Sequence, residues 1–354
     1  MKTHKWLLPV SWLYGLGVGA RNLLFDRGVL HSRSYDLPVI SVGNLAVGGT
    51  GKTPHVEYLI RLLNGQYRIA VLSRGYKRRT HGYVLADDNS TATDIGDEPM
   101  QIKSKFGDIT VAVDANRCEG LERLMTDPAT ADTQVVLLDD AFQHRYVKPG
   151  LSILLIEFER LVGDCLLPAG RLREPMASRQ RADIIVVTKC PEGLSDADFL
   201  LAERQLEPKA HQRLYFSAMV YQQLEPVFGG ENRQLNDLSP DSPVLLVTGI
   251  ANPRPLCKEL CRHTNVVRHL TYADHHAFST ADISAINEMY ALLPGAMVVT
   301  TEKDATRLSA ATGLSDEVRR NLFQLPIHVG FLNGGGDDFD HQIMEYIGRS
   351  LRPQ

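Results

Sequence analysis

Cysteine is scarce in this chain and forms no framework. Its five residues, at 118, 165, 190, 257 and 261, make no C-x-x-C pair, and an odd number argues against structural disulfides, so a reducing compartment is expected. Cys257, Cys261 and His263 lack a second ligand pair at zinc spacing and read as scattered groups. Basic charge is not in excess either. Lys and Arg number 38 against 42 Asp and Glu, a formal net charge of −4, which offers no general attraction for nucleic acid. The only dense basic cluster, Arg74, Lys77, Arg78 and Arg79, therefore needs a local explanation. Internal repeats and low-complexity segments are absent. What remains is 354 residues, 44% apolar and 23% charged, enough for two α/β domains with real cores.

Long apolar runs are also missing. Near the N-terminus, Trp6 to Ala20 carries no charge, with Lys2 and Lys5 before it and Arg21, Arg27 and Arg33 after it. That run is short of the ~20 residues a membrane-spanning helix takes. A secretory signal would share the basic start and the small residues near Gly17–Ala20, but it would export a nucleotide-binding loop to where no nucleotide is. Two readings stay open: a helix in the membrane interface, with Trp6, Trp12 and Tyr14 at headgroup level, or a plain buried helix. The basic flanks favour the first.

The stretch Leu37–Leu63 organises the rest. An apolar β-type run, Pro38–Val42, leads into Ala46-Val47-Gly48-Gly49-Thr50-Gly51-Lys52-Thr53, which fills the frame G-x-x-x-x-G-K-[ST] except that Ala46 stands in the first glycine position. Backbone amides of such a loop turn inward around a phosphate chain. Lys52 reaches the β/γ oxygens, the Thr53 hydroxyl can sit on Mg²⁺, and a helix over 54–63 points its positive dipole end at the anion.

Further strand ends supply charged residues to the same crevice, because ligands of open α/β sheets lie outside the carboxyl ends of strands. RIAVLS (68–73) delivers Arg74-Gly75-Tyr76-Lys77-Arg78-Arg79, either a holder for an anionic substrate or a solvated turn. Asp97 and Glu98, after Gly96, begin a helix as dipole partners, or one of them accepts the proton of an attacking hydroxyl. ITVAV (109–113) ends near Asn116 and Arg117. QVVLL (134–138) ends in Asp139-Asp140, a Walker-B pattern in which the carboxylate reaches Mg²⁺. Leu167–Pro175 holds Arg171, Arg173 and Glu174 in a Pro/Gly-bounded loop of substrate-facing type. DIIVVTK (183–189) leads into Thr188-Lys189-Cys190-Pro191, which lacks the aspartate of the guanine-reading N-K-x-D, so ATP is expected.

The predicted organisation is a membrane-associated helical segment (1–36), a P-loop α/β/α lobe (37–212), a two-stranded β connector around Gly229-Gly230 (213–240), and a second, smaller α/β/α lobe with a C-terminal helix (241–354). The second lobe has strands at 243–248, 266–271, 297–301 and 327–331, the stretch Asp274-His275-His276, and no phosphate loop of its own.

Several stretches together, SVGNLAVGGTGKTP, SRGYKR, GDEP, LLDDAFQHR, LLPAGRLREP, TGIANP, DHHAF and TTEKDA, resemble the signatures of the bacterial tetraacyldisaccharide 4'-kinases, in order and with similar gaps across most of residues 5–305. The resemblance implies ATP- and Mg²⁺-dependent phosphorylation of the 4'-hydroxyl of a lipid disaccharide 1-phosphate, giving the lipid A precursor, at the cytoplasmic face of the inner membrane. It implies a peripheral or monotopic attachment through the N-terminal helix; no obligate protein partner is expected. Carried over by position, the catalytic aspartate falls on Asp97, its supporting histidine on His275, the magnesium aspartate on Asp139 with Asp140 beside it, and the phosphate loop on Ala46–Thr53. Arg74, Tyr76, Arg117, Arg171, Arg173 and Glu174 are the substrate candidates. The rival class is a membrane-associated regulatory P-loop ATPase or GTPase with water as nucleophile. It would want N-K-x-D or a switch glutamine, for which Gln143 is a poor stand-in.

Overall fold

The computed structural model describes residues 5–161, 163–274 and 276–352. After a single 3-10 turn, helix α1 (Leu8–Asp26) begins with Pro9 in its first turn, where a missing backbone N–H costs no helical hydrogen bond. β1 (Val39–Asn44) then leads through the glycine loop to α2 (Lys52–Leu63). β2 (Ile69–Ser73), β3 (Val84–Leu85), α3 (Ala92–Ile95), α4 (Asp97–Lys105), β4 (Thr110–Val113), α5 (Arg117–Thr126), β5 (Val135–Asp139), β6 (Leu151–Glu157), β7 (Ile184–Thr188), α6 (Asp196–Leu206) and β8 (Arg213–Tyr221) follow. The chain continues through β9 (Glu225–Pro226), β10 (Val244–Thr248), α7 (Arg254–Leu260), β11 (Val267–Thr271), α8 (Thr280–Ala291), β12 (Met297–Thr300), α9 (Glu302–Ser309), α10 (Asp316–Arg320) and β13 (Leu322–Gln324). It closes with β14 (Ile327–Phe331) and α11 (Gly335–Ser350).

Two compact units result. The first takes the chain up to Met219 and again from Val329; the second is Val220–His328. The first holds a nine-stranded sheet in the order β14-β8-β7-β6-β1-β5-β2-β4-β3, parallel from β8 through β4. Covered on both faces, its strands are near-continuous Val/Ile/Leu runs, as parallel strands must be when neither face meets water. Ile40 and Val42 pack on one side with Val56 and Ile60 of α2, while Val39 packs on the other with Leu121 and Leu124 of α5. Parallel pairing brings the carboxyl ends of β1, β2, β4, β5, β6 and β7 to one edge, and the register sets Asp139 beside Val42. The second unit is a five-stranded sheet, β11-β10-β12-β13-β9, in which only β9 runs antiparallel.

Two boundaries differ from expectation. Residues 213–240 are not a self-contained hairpin: β8 is an inner strand of the large sheet, paired with β7 and neighbouring β14, whereas β9 belongs to the small sheet. The chain leaves the first unit within β8 and returns within β14, a pairing between strands over 100 residues apart that local turn signals do not encode. The C-terminal helix belongs to the first unit. Phe339, Ile343 and Ile347 of α11 lie in one core with Val56, Ile60 and Ile153. Their four-residue spacing announces a buried face but not its partner.

Candidate active site

The loop from β1 to α2 has the geometry its glycines require. Gly48 and Gly51 sit at φ 111° and 88°, in the left-handed region, and a Cβ on Gly51 would lie 2.6 Å from Met219 Cε. Ala46 is tolerated where the frame has glycine because the backbone there is extended. It bridges Leu172 antiparallel, with Val47 N–H donating to Arg171 O at 2.8 Å and Arg173 N–H to Leu45 O at 2.7 Å. The arginine loop is thereby laced to the entrance of the phosphate loop. The amides of Gly48, Gly49, Gly51 and Lys52 donate to no acceptor among the described residues, and the first turn of α2 follows at once. Such a run of free amides at a helix N-terminus suits a polyphosphate.

Two carboxylates at the end of β5 occupy different environments. Asp140, at φ 48°, is gripped by Arg173 through two hydrogen bonds of 2.8 and 3.2 Å and lies 3.6 Å from Lys52 Nζ. Burial pushes its carboxyl up, but Lys52 and Arg173 outweigh that and hold it below the ordinary range. Asp139 is fully buried, and burial, reinforced by Glu98 and Asp140, pushes its carboxyl up to about 7. Ser73 Oγ donates to its Oδ2 at 3.3 Å, while Oδ1 is buried with no partner. An orphaned, electrostatically frustrated carboxylate oxygen beside a phosphate loop fits a divalent cation, which would satisfy the oxygen and favour the ionised form. Among the described residues, no group of three or more His, Cys, Asp or Glu side chains is placed to hold a metal ion. Thr53, buried in the first turn of α2, is the second candidate.

The basic loop and the start of α4 meet through two glycines. A Cβ on Gly75 would lie 2.9 Å from Ile95 O, and one on Gly96, at φ 95°, 2.9 Å from Tyr76 O. Arg79 N–H donates to Thr93 O and Thr80 Oγ1 to Asp94 O. Arg74 and Tyr76 are exposed, and Asp97, the first residue of α4, is half-buried. The charge of the adjacent Glu98 is one of the influences that raise the Asp139 carboxyl.

Three of the substrate candidates are committed internally. Arg117 is buried, donating to the carbonyl oxygens of Asp114, Ala115, Asp139 and Asp140; burial lowers it to about 10, still cationic at neutral pH. Arg173 is spent on Asp140 and Asn44, and buried Glu174 on Arg181 at 2.7 Å and Asn22 at 3.3 Å. These side chains shape the site instead of standing free for a substrate phosphate, a distinction that charge in a loop sequence cannot make. Arg171 is half-exposed, and Arg74 and Tyr76 are exposed. Helix α1 packs on the same loop, with Ser11 Oγ donating to Leu166 O and Tyr14 OH to Arg173 O.

His275 lies outside the described residues. Its neighbour His276 is engaged within the second unit, 2.9 Å from Asp282 and stacked on Tyr272 at 4.8 Å between ring centroids. Sequence reasoning missed Asn44, fully buried, whose amide donates to Thr50 Oγ1 at 2.6 Å and whose oxygen accepts from Arg173. A polar residue closing an apolar strand just before the loop was the available signal. It missed His55 too. Burial holds that imidazole down to about 4, so it is neutral; Nδ1–H donates to Gly51 O at 2.7 Å and Nε2 accepts from Ser217 at 3.1 Å.

Comparison with known proteins agrees with this geometry. A family model described as LpxK, tetraacyldisaccharide-1-P 4'-kinase, matches residues 3–347. Proteins named tetraacyldisaccharide 4'-kinase are similar along nearly the whole chain. That of Bacteroides thetaiotaomicron is 49% identical over 99% of this chain and 95% of the relative, and that of Parabacteroides distasonis 50% identical over 99% and 97%. Among solved structures, LpxK from Aquifex aeolicus in complex with ATP superposes with a TM-score of 0.76 at 28% identity, covering 98% of this chain and 99% of the other.

Proposed function

The chain belongs to the tetraacyldisaccharide-1-P 4'-kinase family, and from that membership we infer that it transfers the γ-phosphate of ATP to the 4'-hydroxyl of a tetraacyldisaccharide 1-phosphate, a step of lipid A biosynthesis. The observation that carries this reading is the convergence at one sheet edge of a loop with free amides, Lys52 beside an aspartate pair, and a buried Asp139 oxygen with no partner.

Phosphoryl transfer needs positioning and charge neutralisation more than covalent help. The amides of Gly48–Lys52 and the α2 N-terminus cradle the phosphate chain, and Lys52, held near Asp140, neutralises its outer oxygens. Thr53 and Asp139 would hold Mg²⁺, which would supply further charge neutralisation there. Arg173 acts through Asp140, fixing the carboxylate that aims Lys52. Asp97 accepts the proton of the sugar hydroxyl. Its place at the head of α4, directly after the glycine that packs against the Tyr76 carbonyl, supports that role, and Arg74 and Arg171 are the guanidinium groups available for the substrate's anomeric phosphate. His275 is the residue the family pattern names as support for Asp97; His275→Ala lowering kcat, with ATP binding retained, is the expected result.

The enzyme acts at the cytoplasmic face of the inner membrane, attached through α1. No helix among the described residues is long and apolar enough to cross a bilayer. One face of α1 is nonetheless apolar and exposed, with Trp12 and Leu13 each 70% and Leu16 69% accessible, as suits a helix lying in the interface. Purified protein incubated with ATP, Mg²⁺ and lipid disaccharide 1-phosphate is expected to yield a bisphosphorylated lipid by mass. ATP consumption that proceeds equally without lipid, and no such product, would instead establish an ATPase.

A further inference from the structure

Every carbonyl from Val47 to Gly51 accepts a hydrogen bond from within the first unit. Arg160 donates to Val47 O at 3.3 Å, Thr50 N–H to Gly48 O at 3.0 Å, Lys189 Nζ to Gly49 O, Thr188 Oγ1 to Thr50 O at 2.9 Å, and His55 to Gly51 O. A peptide whose carbonyl is held outward must present its amide the other way, so these bonds fix the orientation that a phosphate chain requires. The two cations share one anchor. Glu157, at the end of β6 and largely buried, holds Lys189 Nζ on Oε1 at 2.7 Å and Arg160 Nε on Oε2. Lys189 itself sits at φ 56°, a left-handed conformation that side chains avoid unless the surroundings impose it. Thr188 and Lys189 thus close β7 by taking two consecutive loop carbonyls, and among the described residues neither is hydrogen-bonded or ion-paired to the carboxylates that end β5.

We propose that Lys189, with Arg160 and their common anchor Glu157, is a positioning brace for the phosphate loop, setting the affinity for the triphosphate of ATP without touching the reacting atoms. The brace presumes the ATP-kinase reading above. In the absence of nucleotide it keeps the loop amides from rotating outward to water, so the ordering is completed before ATP arrives, and binding does not bear that entropic loss. Removing the ammonium leaves Gly49 O to solvent and frees the loop to relax.

The test uses the full chain. ATP affinity is measured by displacement of a fluorescent ATP analogue, together with kinetics at varied ATP and varied lipid. Lys189→Met, which keeps the stem and loses the charge, is expected to weaken ATP binding by at least about tenfold, from the loss of charge-assisted hydrogen bonds. kcat at saturating ATP and KM for the lipid should stay within about threefold. Lys189→Arg should restore most of the affinity, and Arg160→Met should show a smaller loss of the same kind. Unchanged ATP affinity in Lys189→Met overturns the brace while leaving the kinase reading intact. A parallel rise of both KM values with a fallen melting temperature overturns it as a mere folding effect. Should Lys189→Met not fold, Arg160→Met and Glu157→Gln decide by the same criteria. Failure of the wild-type protein to bind the analogue overturns the ATP reading and the brace together.

Discussion

Asp139 carries the clearest electrostatic signature in the molecule. Its carboxyl is raised from 3.8 to about 7 by burial, so in metal-free protein the native state holds a proton that the unfolded state has released. Stability from this group therefore falls as pH rises from about 4 to 7. Asp139→Asn is expected to raise the melting temperature of metal-free protein by a few degrees at pH 8 and by less at pH 5, while abolishing Mg²⁺-dependent turnover. Calorimetry with and without Mg²⁺ checks both; a melting temperature that drops at pH 8 would show that the side chain is held by bonds and not frustrated. Asp97→Ala is expected to lower kcat by at least about 100-fold with a small effect on KM for ATP, the usual contribution of a general base. Near-normal kcat removes Asp97 from that role.

Helix α1 does two jobs with two faces. Ser11 and Phe25 are buried, and Ser11 and Tyr14 bond to the arginine loop, whereas Trp12, Leu13 and Leu16 face outward. Deleting the helix would strip support from Arg173 as well as remove the apolar face. Leu13→Glu with Leu16→Glu is the cleaner test, since each exposed Leu stands to gain about 1.5–3 kcal/mol on full burial in lipid. Vesicle flotation should show the double variant released while its melting temperature is unchanged; continued flotation would put the attachment elsewhere. Helix α11 makes the converse case, because Ile343 is fully buried against the sheet of the first unit. Ile343→Ala is expected to cost about 2–5 kcal/mol, read as a lower denaturation midpoint of the first unit.

The first unit is assembled from two separate stretches of chain, joined where β8 and β14 lie side by side. Leu332 N–H donates to Phe216 O at 2.8 Å there. A short linker from Met219 to Val329, replacing 220–328, should therefore leave a folded protein that binds ATP within a few-fold of the intact chain. Lipid phosphorylation should be lost if the second unit contributes to turnover. Retained transfer in the shortened protein would confine the whole reaction to the first unit.

The glycine turn between β1 and α2, the strand-end aspartates and the βα alternation were legible from residue order alone, because each depends on neighbours a few positions apart: glycines that permit positive φ, an apolar run that ends in a carboxylate, a helix that starts where the loop stops. The resemblance likewise rested on short motifs in series. The division of labour among charged side chains was not legible. Arg173 and Arg171 stand two apart in one loop, yet one is spent on Asp140 and the other is half-exposed, and Lys189 reaches a loop carbonyl 140 positions earlier. The pairing of β8 with β14 and the docking of α11 were hidden for the same reason. Burial and long-range hydrogen bonds are properties of the packed chain, and local pattern shows that a face or a charge needs a partner without saying which.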